Sequence, residues 1–143
     1  MVRPDKIEGI LENLRGYVRK LNHLASLARK DFLSDFTKIE SAKHLFQVSV
    51  ECCIDVSNHI IASERFRAPK TYAEAFEILA EQGILAKEFL ATLRQMVQFR
   101  NRLVHLYWEV DVEVIYDILQ RNLEDFETFT KQILKYLSAH EQD

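Results

Sequence analysis

At about 100° of rotation per residue, Phe89, Met96, Phe99, Leu103 and Leu106 share one face of a helix, and Leu90, Leu93, Val97 and Val104 form a second apolar seam beside it. A helix with two apolar seams has to be covered twice. The core of its own subunit covers one, and the other calls for a second subunit, so the pattern predicts a homodimer. Arg94, Gln98, Asn101 and His105, at steps of four, three and four, make a continuous polar stripe on the remaining side. Arg100 projects between the seams, a costly place for a guanidinium that nothing pairs with.

Helical periodicity continues along the chain. Ile7, Ile10, Leu11, Leu14, Val18, Leu21, Leu24 and Ala28 mark a helix over 5–29, started by Pro4 and Asp5. Residues 31–35 read as a short connection with at most a turn of helix. A long helix over 37–63 follows, with Ile39, Ala42, Phe46, Ser49, Cys53, Val56 and Ile60 on its core face. Thr71 caps a short helix over 72–82, with Glu74 at the capping-box position, and Gly83 ends it. The two-seamed helix spans 85–105. Asp111 is a good N-cap for a last helix over 112–139, carrying Ile115, Ile118 or Leu119, Leu123, Phe126, Phe129 or Thr130, Ile133 and Leu137.

With three Gly and two Pro in 143 residues and little β-branched alternation, the expectation is all-α: an up-and-down bundle of about five helices forming a single domain over 1–143. Charged residues interrupt the first twenty positions, which fits no signal peptide. No apolar run approaches the roughly 20 residues of a membrane span. A soluble, cytoplasmic protein is expected. Cys52 and Cys53 are adjacent, a spacing that suits neither a disulfide framework nor a metal site, so they read as small buried hydrophobes.

The chemistry this pattern offers is acid–base and metal-free. No H-x-x-x-H or C-x-x-C spacing occurs and there is no Gly-rich phosphate loop, so neither a metal nor a cofactor is expected. Arg presents a fork of donors matched to phosphate oxygens, and His moves protons near neutral pH. With RNA, whose 2′-hydroxyl is a built-in nucleophile, His105 can serve as general base while Arg100 stabilises the phosphorane. Two His105 residues meeting across a twofold interface would supply both base and acid, which places the active-site cleft between subunits. Asn101 would orient the imidazole or bind phosphate. The bland alternative for His105 is a residue capping carbonyls at the helix end.

Glu51, Asp55 and Asn58 form a polar stripe on the long helix. It is either a solvated face or the source of a carboxylate, Glu51 or Asp55, that pairs with Arg100. His44 and His59 read as structural. A net charge of −3 gives the surface as a whole no attraction for nucleic acid, so any RNA contact needs a local basic patch. Arg65, Arg67 and Lys70 in the 64–70 loop are candidates, with Arg94 and Arg102 on the two-seamed helix; a solvated loop is the alternative.

Arg100, four residues, His105, one residue and Tyr107 make the R-x4-H-x-Y pattern, standing as Arg-Asn-Arg-Leu-Val-His-Leu-Tyr. Together with Glu51…Asp55…Asn58-His59, Thr71-Tyr72…Glu74-Ala75-Phe76…Leu79, Gly83-Ile84 and Val110-Asp111, it resembles the HepT-like branch of the HEPN superfamily across nearly the whole chain. That resemblance implies a ribonuclease toxin of a toxin–antitoxin pair. It implies metal-independent RNA cleavage with tRNA as a target, and an MntA-like minimal nucleotidyltransferase as antitoxin. Arg100 and His105 match the family's catalytic pair, Asn101 the polar residue between them, and Tyr107 the tyrosine that the antitoxin modifies with AMP. The competing reading is a non-catalytic helical module that binds the nucleotidyltransferase or presents its substrate.

Overall fold

A computed structural model describes residues 2–141. Among these, seven α-helices and two short 3-10 turns form a helical bundle with no strand. The helices are α1 (Pro4–Ala25), α2 (Arg29–Leu33), α3 (Phe36–Glu64), α4 (Tyr72–Glu81), α5 (Leu90–His105), α6 (Val112–Arg121) and α7 (Glu124–Glu141); the 3-10 turns are Lys87–Phe89 and Tyr107–Glu109.

The helix that all the others share is α3. It packs against α1, α2, α4, α5, α6 and α7. Its buried residues include Ile39, Leu45, Phe46, Val50, Ile54, Val56, Ile60 and Ile61, which cover about half of its circumference, wider than the stripe of a helix packed on one side. Cys52 and Cys53 are buried free thiols within it. Edge-to-face ring pairs tie in the outer helices: Phe46–Phe99 between α3 and α5 (5.5 Å), and Phe76–Phe129 between α4 and α7 (6.1 Å).

The capping residues act locally as their chemistry demands. Asp35 accepts from the Thr37 amide at the start of α3, Thr71 from the Glu74 amide at the start of α4, and Asp111 from the Glu113 amide at the start of α6. Glu74 closes back on the amide of Lys70 rather than Thr71. Gly83 takes φ +74° while the Ile84 amide bonds back to the Leu79 carbonyl, a left-handed ending that glycine adopts at little cost.

Three boundaries differ from the periodicity, and so does the cover over α5. The first helix stops at Ala25, leaving Ala28 exposed, and α2 is a separate piece. The two-seamed helix begins at Leu90, because the Ala86 amide turns aside to donate to Gln132 and a 3-10 turn leads in. The last helix is divided: Asn122 ends α6 and its carbonyl accepts from the Asp125 amide at the start of α7. Ile115, Leu119, Leu123, Phe126, Ile133 and Leu137 are buried on both sides of that break, so the apolar pattern runs through it unchanged. Finally, α4 packs beside α5, and most of the second seam of α5 is covered within the chain. Leu93 and Val97 are buried, Leu90 is half-buried, and only the Val104 end lies open.

Candidate active site

α5 lays its polar stripe along an open groove of about 990 Å³ whose far wall is the start of α4 and the loop before it. Arg94, Gln98, Arg100, Asn101 and His105 line it from α5, Lys70 and Tyr72 from the opposite side, and Asn58 from α3.

Arg100 is only 14% exposed and Glu51 30%. Its Nε and one terminal nitrogen both donate to Glu51 Oε2, at 3.1 and 2.8 Å, and the other terminal nitrogen donates to Asn101 Oδ1 at 3.1 Å. The Tyr72 ring lies 5.1 Å from the guanidinium carbon. Gln47 donates to the same Glu51 oxygen at 3.3 Å. The cation that the apolar seams would strand is thus held on several sides at the groove wall. Asp55, one turn along α3, is exposed and makes no such pair. Burial first, then the neighbouring Glu51 charge, push its carboxyl above the ordinary range, partly offset by His59.

His105, the last residue of α5, is exposed at the groove, and among the described residues its ring has no hydrogen-bond or ion-pair partner. The carbonyl-capping alternative finds no bond here. Tyr107 lies just beyond, in the 3-10 turn Tyr107–Glu109, half-buried and outside the groove lining. Beside His105, Val104 and Leu106 are 38% and 39% exposed and Trp108 77%, three exposed apolar side chains around the end of α5.

The basic candidates divide. Arg67 is already engaged, at 2.6 Å with Glu81 and 3.1 Å with Glu74, and the hydrogen bonds from Arg67 hold Glu81 below the usual carboxylate range. Arg94 pairs with Glu77 at 3.1 Å across the groove. Lys70 is exposed in the lining, while Arg65 and Arg102 are exposed outside it.

Two contacts had escaped the pattern. Tyr72 carries no signal in sequence that aims it at Arg100. Lys43 stands two steps of four before Glu51, in the register Lys43, Gln47, Glu51, and its ammonium lies 4.2 Å from the centre of the Tyr107 ring. Among the described residues, no three of His, Cys, Asp and Glu come together as a metal-binding group, and no helix is long and apolar enough to cross a membrane.

The sequence profile described as ribonuclease HepT-like matches residues 8–133. The chain belongs to the ribonuclease HepT-like family. Among its relatives, a protein described as mRNA nuclease HepT from Shewanella oneidensis is 34% identical over 98 residues, which is 68% of this chain and 74% of that one. Another, described as tRNA nuclease HepT from Aphanizomenon flos-aquae, is 28% identical over 142 residues, 99% of this chain and 97% of its own. Solved structures of similar chains superpose closely. A toxin–antitoxin crystal structure with AMP-PNP gives a TM-score of 0.85 at 27% identity, covering 92% of this chain and 98% of that one. The tri-AMPylated Shewanella oneidensis HEPN toxin in complex with its MNT antitoxin gives 0.83 at 27% identity, covering 90% and 96%.

Proposed function

We propose that this HepT-like chain is a metal-independent endoribonuclease, the toxin of a pair whose antitoxin is an MntA-like nucleotidyltransferase. One observation carries the reading: a guanidinium held by Glu51 and Asn101 shares an open groove with an imidazole five residues further along α5 that has no partner among the described residues. His105 takes the proton of an RNA 2′-hydroxyl, the freed oxygen attacks the adjacent phosphorus, and Arg100 stabilises the charge that develops on the phosphorane. The leaving 5′-oxygen receives a proton, giving a cyclic phosphate and a 5′-hydroxyl. That proton comes from a second His105 when two chains meet at the end of α5, where Val104, Leu106 and Trp108 are exposed, so the working unit is a homodimer built from one HepT-like domain per chain. The relatives named as an mRNA and a tRNA nuclease support RNA as substrate, and tRNA is the target we favour.

Tyr107 is the regulatory position. An AMP group on its phenol adds bulk and negative charge two residues beyond His105, which opposes a polyanionic substrate. The solved complexes of relatives with antitoxins, one with a tri-AMPylated toxin, support this partner and this modification. The alternative, a non-catalytic module serving the nucleotidyltransferase, draws its support from Arg67 and Arg94 being already paired with carboxylates. Arg100→Ala and His105→Ala separate the two. Loss of RNA cleavage and relief of growth inhibition in both variants establishes the enzyme; cleavage by both removes it.

A further inference from the structure

Lys43 is a buried cation that cleavage at Arg100 and His105 leaves unused. It sits on α3 among Ile39, Ala42 and Phe46, its side chain only 7% exposed. A lysine so placed needs compensation for lost water. Glu40 gives little, at 4.0 Å and largely solvated. The closer compensation comes from Tyr107, whose carbonyl accepts from Nζ at 3.4 Å and whose ring face lies 4.2 Å below the ammonium. Both contacts fall on one residue, 64 positions away in the chain, and that residue belongs to a three-residue 3-10 turn with no side-chain cap of its own.

The register explains the placement. Lys43, Gln47 and Glu51 follow one another at four-residue steps down α3, and α5 runs antiparallel to them. Glu51 thereby meets Arg100, and Lys43, two turns away, meets the turn that follows α5. One stripe serves both ends of the R-x4-H-x-Y segment.

We propose that Lys43 is the positioning residue for Tyr107, clamping its ring and carbonyl so that the phenol is presented to the nucleotidyltransferase as acceptor; this rests on the modification reading above. In the transfer, the Tyr107 oxygen bonds to the α-phosphorus of ATP, the bond from that phosphorus to the departing pyrophosphate breaks, and the phenol proton passes to solvent. A phenol on an unclamped turn must find the α-phosphorus from many orientations. A fixed ring removes that search, and a cation over its face favours the negative charge gathering on the oxygen.

The experiment measures AMP addition to the full chain by its cognate nucleotidyltransferase with ATP, using intact mass, for wild type, Lys43→Met and Lys43→Arg. Circular dichroism and the thermal midpoint report folding. The clamp predicts that Lys43→Met lowers kcat for AMP addition on the order of tenfold to a hundredfold with KM for the acceptor little changed. Lys43→Arg recovers most of the loss. Should Lys43→Met fail to fold, Lys43→Leu carries the same prediction, since it too removes both the charge and the donor for the Tyr107 carbonyl. Wild-type kcat in a folded neutral variant overturns the clamp while the modification reading stands. A wild type that accepts no AMP overturns the modification reading itself, and the role of Lys43 with it.

Discussion

Arg100 and Glu51, 49 residues apart in the chain, meet through two hydrogen bonds to a single carboxylate oxygen, and that pair fixes Arg100 at the wall of the groove. The geometry leaves one guanidinium edge on Glu51 while Asn101 receives the other, so the cation is oriented as well as neutralised.

Glu51→Gln keeps the shape and removes the charge. With the pair half-shielded from water, the change costs about 1–2 kcal/mol of stability, between the values for surface and buried pairs. Because Arg100 loses its anchor, RNA cleavage falls on the order of tenfold to a hundredfold. Chemical denaturation and a cleavage assay on the same preparation check both numbers; wild-type cleavage would show that Glu51 does not hold Arg100 for catalysis.

Asp55→Asn should leave cleavage intact, since Asp55 stands off Arg100. Its raised carboxyl keeps a proton in the native state to higher pH than in the unfolded chain, so ionisation costs stability as pH rises through the folded-state value. The variant should gain about 0.5 kcal/mol at neutral pH, a figure kept small because the group is largely solvated, and nothing at about pH 3 where both states are protonated. Thermal unfolding against pH tests the sign; a loss of stability at neutral pH would contradict it.

These partners mark the boundary of what the sequence made legible. Apolar spacing assigned the faces of α3 and α5, and Thr71 and Gly83 marked the ends of α4 and Asp111 the start of α6, because caps act within four residues. Glu51 and Asp55 share a stripe and differ by one turn, so only the crossing of α3 with α5 decides which reaches Arg100. Arg67 read as part of a basic loop because Glu74 and Glu81 return to it only through the fold. The break at Asn122 was invisible for a different reason: both of its sides feed one core, and burial carries the same period across it.

The uncovered end of α5 predicts association. Trp108→Asp places a carboxylate among the exposed apolar side chains at the end of α5 from a position outside the groove that Arg100 and His105 line. Sedimentation should show the dimer dissociating, with RNA cleavage lost at concentrations where the variant is monomeric. A monomeric variant that cleaves at the wild-type rate would confine the active site to one chain.

Tyr107→Phe removes the acceptor oxygen and leaves the ring under Lys43. With the cognate nucleotidyltransferase and ATP, wild type should gain mass in AMP steps and stop cleaving RNA, whereas the variant gains none at this position and goes on cleaving. Peptide mapping locates the adduct, and AMP found on other residues with Tyr107 bare would contradict the assignment.

The central claim is that Arg100 and His105 cleave RNA without a metal, and the most direct test is cleavage of a labelled RNA in excess chelator by wild type, Arg100→Ala and His105→Ala. We predict that wild type yields fragments ending in a cyclic phosphate and that each variant loses on the order of a hundredfold or more in rate. Cleavage at the wild-type rate by either folded variant, or its disappearance from wild type on chelation, would contradict the account.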